Sequence, residues 1–245
     1  MKVTQHGQYL WQLTRLWAFN SYLVREEDGL TVVDTGLVGS AEDILQAASR
    51  IGLPIARVTL THAHGDHAGS LDELCGQLPD VEVAVSARTA DFLKGNRKLR
   101  ADEPQAELRG GFVERSTRPT RLLAPGDWVG SLRVVPAPGH TPDQVAFFDE
   151  RDGTLIAGDA FQTQAGIAVA GVRRWLFPFP ALATWHRPTA LASAVALRRL
   201  KPTRLAVGHG RALERPLAQM DEAIAVAEAI TAGEAMAKAE AKAGG

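Results

Sequence analysis

Short apolar runs alternate with amphipathic stretches from one end of the chain to the other. Residues 9–13, 19–24 and 30–33 read as strands, the last closing on the turn Asp34-Thr35-Gly36. Ile44, Leu45, Ala48 and Ile51 then recur at helical spacing, with Ser40 at the N-cap position and Gly52-Leu53-Pro54 at the stop. A strand over 57–61 runs into a polar cluster and a short helix follows over 70–78. Residues 81–85, 132–136, 145–148 and 154–156 have the length and composition of further strands. A helix over 188–200 ends before Lys201-Pro202, and a strand over 205–207 follows it. From Arg215 the chain is alanine-rich and helical, with fraying expected from about residue 238.

Two stretches break this rhythm. Residues 88–121 hold nine basic against five acidic side chains and read as a solvated helical insertion rather than a lid that contacts anions. Residues 160–187 form a second insertion, apolar and carrying Trp175, Phe177, Phe179 and Trp185, in which Pro178 and Pro180 prevent a regular element. No linker divides the chain, so the pattern predicts one α/β domain over residues 1–245.

Composition narrows the classes of function. At 245 residues with 45% hydrophobic side chains, the chain can bury a core without disulfides. The 27 basic and 28 acidic residues leave a net charge of −1, which predicts neither nucleic acid nor membrane as a partner. The single cysteine, Cys75, excludes an internal disulfide and a multi-thiolate zinc site; it reads as a core residue. No apolar run approaches the roughly 18 residues of a membrane span, and the opening residues lead into no signal-like core. A cytoplasmic protein acting on a small molecule is the expectation, with a homodimer left open.

The histidines carry the chemistry. Just past the strand over 57–61 stands His62-Ala63-His64-Gly65-Asp66-His67. His62 and His64, two apart, can point to the same side. Beyond the tight turn at Gly65, Asp66 and His67 would be presented from the start of the next helix toward a second position. Four nitrogen and oxygen donors within six residues exceed what one tetrahedral ion with a water can use, so the spacing suggests two ions side by side. Three more donors sit in glycine-bearing turns after strand-like runs: His140, Asp159 and His209. Of the others, His6 reads as a surface residue, and His186, beside Trp185, as a candidate substrate contact.

Together with Pro138-Gly139-His140-Thr141-Pro142, Ala157-Gly158-Asp159 and Val207-Gly208-His209-Gly210, the cluster resembles the metallo-β-lactamase superfamily of hydrolases. Val32-Val33-Asp34-Thr35-Gly36 is similar to that family's first strand and turn. The resemblance implies a four-layer αβ/βα sandwich of two mixed β-sheets flanked by helices, with metals at one edge. It implies that His62, His64 and His140 hold a first metal, Asp66, His67 and His209 a second, and that Asp159 bridges them, with Asp34 steadying the histidine loop.

Two divalent ions, zinc or else iron or manganese, would lower the pKa of water to about 7 and supply hydroxide for attack on a carbonyl. Asp66 is the candidate to orient that water or carry its proton. The expected substrate is a lactone, ester or thioester with an apolar acyl or alkyl group. A lactonase-type tyrosine is not evident, because Tyr9 and Tyr22 both lie in the N-terminal strands. Two alternatives stay open: a mononuclear iron persulfide dioxygenase of the same fold, and a phosphodiesterase.

Overall fold

Seven strands form the first sheet, in the order of the chain: β1 (Lys2–His6), β2 (Leu10–Arg15), β3 (Phe19–Arg25), β4 (Leu30–Val33), β5 (Ile55–Thr59), β6 (Glu82–Ser86) and β7 (Arg121–Leu123). The computed structural model describes residues 1–243. From β1 to β4 the pairing is antiparallel, and from β4 to β7 it is parallel. The parallel steps require crossovers, and these are supplied by α1 (Ala41–Ile51), α2 (Leu71–Gly76) and α3 (Ala87–Leu93). Ile44, Ala47 and Ala48 of α1 and Leu71 and Leu74 of α2 pack with Leu23, Val32 and Val58 on the outer face of this sheet. Cys75 is half-buried against the same cluster, and burial pushes its thiol up to about 11.

The second sheet has β8 (Trp128–Val129), β9 (Leu132–Pro136), β10 (Val145–Asp149) and β11 (Thr154–Ile156), followed in space by β14 (Arg204–Ala206) and β15 (Leu213–Glu214). A small hairpin, β12 (Phe161–Gln162) with β13 (Ala168–Val169), precedes α4 (Phe179–Leu182) and α5 (Arg187–Arg199). Residues of α5 and of α6 (Leu217–Ala243), among them Ala194, Leu197, Met220 and Ala223, cover its outer face with Leu155 and Leu205. Between the sheets lies a third cluster that draws Leu10, Tyr22, Val24 and Val33 from one and Val134, Phe147, Ile156 and Ala206 from the other. Helices, sheet, sheet, helices: the architecture is the αβ/βα sandwich.

The differences from the sequence reading have local causes. Strand β1 escapes the pattern because it is an edge strand whose side chains stay largely in water. Ser40 precedes α1 without capping it; its hydroxyl accepts from Arg15 instead. The basic stretch is not a solvated helix. Only α3 is helical, and several of the cations act as tethers: buried Arg88 pairs with Glu103 at 2.7 Å, and Arg115 donates to the carbonyls of Ala68 and Gly69. Within the apolar stretch, Phe177 and Trp185 are buried whereas Trp175 and Phe179 are exposed. The remainder of the tail expected to fray, residues 244 and 245, lies outside the described residues. No described helix is long and apolar enough to cross a membrane.

Candidate metal centre

Seven donors from four loops converge at the ends of β5, β9, β11 and β14. Strand β5 stops at Thr59, and buried Leu60 and Thr61 carry the chain to His62. Asp66 and His67 lie in a turn, since α2 begins only at Leu71; the helix start expected to present them is not used. His140 sits between β9 and β10, Asp159 on a single 3₁₀ turn after β11, and His209 just past β14. Gly208 has to be glycine, because a Cβ there would come within 2.1 Å of Asp159 Oδ1.

Two carboxylates fix the histidine loop. Asp34, held at φ +63° where β4 ends, accepts from the Thr61 amide (2.7 Å), the Thr61 hydroxyl (2.8 Å) and His67 Nδ1 (2.8 Å). Asp143 accepts from the Ala63 amide at 2.9 Å.

The first group is His62, His64 and His140, all buried. His64 Nε2 donates to the Arg109 carbonyl at 3.0 Å, which can only accept. His62 Nδ1 lies 3.0 Å from the Thr61 hydroxyl, whose proton is committed to Asp34. His140 Nδ1 lies 3.2 Å from the Thr184 hydroxyl, whose proton goes to the Pro180 carbonyl. These assignments put lone pairs on the three inward nitrogens. His64 Nδ1 is 3.2 Å from His62 Nε2 and 3.1 Å from His140 Nε2. Burial pushes His64 down to about 4, His140 to about 3 and His62 well below its ordinary value, so no proton stands between them at neutral pH. Three facing lone pairs in a buried site are a chemical fit for a cation.

The second group is Asp66, His67 and His209. His209 Nε2 is 3.3 Å from Asp66 Oδ2 and 3.0 Å from Asp159 Oδ2. Asp159 reaches both groups, with Oδ2 3.3 Å from His140 Nε2 and Oδ1 3.3 Å from His67 Nε2. Burial drives His209 down, but Asp159 and Asp66 outweigh it and raise it to about 9; Asp34, Asp159 and Asp66 likewise hold His67 above its ordinary value. Against burial, the histidines hold Asp66 and Asp159 below the usual carboxylate range. Asp159 Oδ1 and His67 Nε2 are buried without a hydrogen bond, as atoms kept for a ligand would be.

The remaining candidates have other work. Tyr22 does not face the cluster: its buried hydroxyl donates to the Val207 carbonyl (2.7 Å) and accepts from the Val207 amide (2.9 Å). Asn20 donates to the carbonyls of Val207 and Gly210, and both residues thereby pin the segment that carries His209. His186 caps α5, its Nδ1 accepting from the Thr189 amide and hydroxyl. His6 is half-buried, 3.1 Å from Gln12 Oε1. Phe19 and Phe177 bring their rings to 5.2 and 5.3 Å from that of His209, forming an apolar wall beside the second group.

The description of the metallo-β-lactamase superfamily matches residues 15–209. The uncharacterized protein YobT of Bacillus subtilis (strain 168) is 48% identical over 228 residues, which cover 91% of this chain and 97% of YobT. The probable metallo-hydrolase YflN of the same organism is 27% identical over 212 residues, 78% of this chain and 80% of YflN. Among solved structures, TTHA1623 in a di-iron-bound form is similar at a TM-score of 0.62 and 27% identity, covering 84% of this chain and 94% of that one.

Proposed function

This chain belongs to the metallo-β-lactamase superfamily, whose members are mostly metal-dependent hydrolases, and from that premise we propose that it hydrolyses an ester-type bond using two divalent ions. One observation carries the reading: His62, His64 and His140 turn three unprotonated nitrogens toward one point, and Asp159 links them to Asp66, His67 and His209. Those seven residues would hold the ions, His62, His64 and His140 the first, Asp66, His67 and His209 the second, with Asp159 between. When bound, the pair would lower the pKa of water and polarise the substrate carbonyl. Zinc is the first choice for nitrogen and oxygen donors, with iron supported by the di-iron form of a 27% identical neighbour.

The residues of the chain do the rest. Asp34 and Asp143 keep the histidine loop from rotating, so its donors need no reorganisation. Asp66, 24% exposed and the most accessible of the seven, is the carboxylate able to take a proton from the attacking water and return it to the leaving oxygen or sulfur. Phe19 and Phe177 would receive an apolar acyl or alkyl group and exclude water beside His209. A lactone heads the substrate classes, with esters and thioesters close behind. We take the place of work to be the cytoplasm, which suits a chain with one cysteine.

Elemental analysis of protein purified without added metal, combined with a panel of lactones, thioesters and phosphodiesters, tests the reading. The expected result is close to two ions per chain and lactone or ester turnover that rises with chain length, at about 0.8 kcal/mol per buried methylene. A single iron with oxygen uptake on a persulfide would replace it, and a flat chain-length profile would remove the apolar pocket.

A further inference from the structure

The near-zero net charge hides a local asymmetry at the mouth of the metal centre. Two segments build the rim beside His209: the β2–β3 turn and the residues between β13 and the end of α4. They lie in residues 1–25 and 160–213, which together contain no aspartate or glutamate, against three and eight basic residues respectively.

On this rim Leu16, Trp17 and Phe179 are exposed, and Trp175 and Leu176 stand 84% and 86% exposed. They form one patch. Trp17 and Phe179 meet buried Phe177 edge-on at 6.0 and 5.4 Å, and Trp175 and Leu176 precede it directly in the chain. Leu16 and Trp17 take φ of +46° and +57°, a conformation uncommon for large side chains, at the tip of their hairpin. Cations frame the patch: Arg173 lies 5.0 Å over the Trp175 ring, and Lys2 and Arg211 share a cavity of about 530 Å³ with Trp17. Among the described residues none of these three has an acidic partner.

A single exposed leucine needs no explanation, but a contiguous apolar patch does. Trp175 and Leu176 stand clear of the surface, so one small substrate molecule cannot cover them along with Trp17. A second copy of the chain meeting the patch across a two-fold axis would bring like cations face to face. A surface that is apolar inside and anionic outside satisfies both features at once. Tryptophan favours the headgroup level, leucine and phenylalanine the acyl boundary, and arginine and lysine the headgroup charge. We propose that this rim docks the protein on an anionic lipid surface, with the mouth of the metal centre facing the lipid. Overall charge balance argues against a membrane partner; the placement of the charges reverses that expectation. The proposal stands on the surface alone and goes beyond the hydrolase reading.

Sedimentation of the metal-containing 245-residue chain with vesicles tests it, using phosphatidylcholine alone and a mixture with about one third phosphatidylglycerol. The protein is expected to sediment with the mixed vesicles, about tenfold less with phosphatidylcholine, and to be released by high salt. A Trp175→Ser, Leu176→Ser double variant and Arg173→Glu should each lower binding by about tenfold. All three positions are exposed and outside the metal centre, so metal content and turnover of a short water-soluble ester should stay at the parent level. Failure to sediment with the mixed vesicles overturns the proposal, as does equal binding by the variants or equal binding to neutral vesicles. A dimer in sedimentation velocity that the double variant dissociates also overturns it, because a second copy would then cover the rim.

Discussion

His62, His64 and His140 meet as three neutral lone pairs, each fixed from behind by one hydrogen bond, whereas Asp66, His67 and His209 meet as opposite charges. In the second set His209 Nδ1 is buried with no partner, and Asp66 is partly open to water. One side is prepared for a cation and has nothing to give up. The other is already neutralised internally, so binding an ion there means releasing protons from His67 and His209 and exchanging ion pairs for coordination. Three histidines on one side, and two histidines with an aspartate on the other, would thus make a site that fills first and a site that fills second.

The strongest way to break that distinction is Asp159→Ala, because the Asp159 carboxylate lies within 3.3 Å of inward nitrogens of both sets. Bound metal should fall from near two ions per chain to well below one by elemental analysis after dialysis; full retention would show that no shared carboxylate couples the halves. Tyr22→Phe should separate them. It leaves the Val207 amide and carbonyl without the Tyr22 hydroxyl, costing about 1–3 kcal/mol in denaturant unfolding. It should also weaken the His209 side by about tenfold in a metal titration while the other side holds. Equal weakening of both steps would mean the halves move together.

Asp143→Asn sharpens the comparison through pH. Burial pushes the Asp143 carboxyl up to about 6, so between roughly pH 4 and 6 the folded chain keeps a proton that the unfolded chain has released. Stability therefore falls as pH rises through that window and stays lower above it. Asparagine still accepts from the Ala63 amide, and the variant should lose this slope and gain up to about 2 kcal/mol near pH 7. Parallel melting-temperature profiles for the two proteins would refute it. The smallest effect belongs to Thr184→Val, which removes the acceptor behind His140 together with the donor to the Pro180 carbonyl; the first-filling site should weaken by about tenfold or less, with the second step unmoved.

Much of this was legible from one chain because the donors themselves are local signals. A histidine two residues from another, after a buried strand, announces itself, and so do glycines beside His140, Asp159 and His209. Short apolar runs marked most strands of both sheets, because strands such as β4 and β11 are buried on both faces. What stands behind the donors has no such mark. Arg109 contributes a carbonyl, which every residue owns; Thr184 lies 44 residues from His140, and Asp143 lies 80 from Ala63. Phe177 and Phe179 look equivalent in sequence, yet a turn into α4 buries one and exposes the other.

The position of the donors has a mechanical consequence for the folded chain. His62, His64, Asp66 and His67 are rooted in one sheet, and His140, Asp159 and His209 in the other. Ions held by these donors would act as rivets through the sandwich, closing a span of 76 residues between His64 and His140. If the ions bind only the folded arrangement, an excess of about a thousandfold over the dissociation constant would contribute about 4 kcal/mol of stability. A chain with one cysteine would thereby obtain its cross-links from the same atoms proposed to do its chemistry, and stripping the metal should loosen the seam between the sheets before it disturbs either sheet.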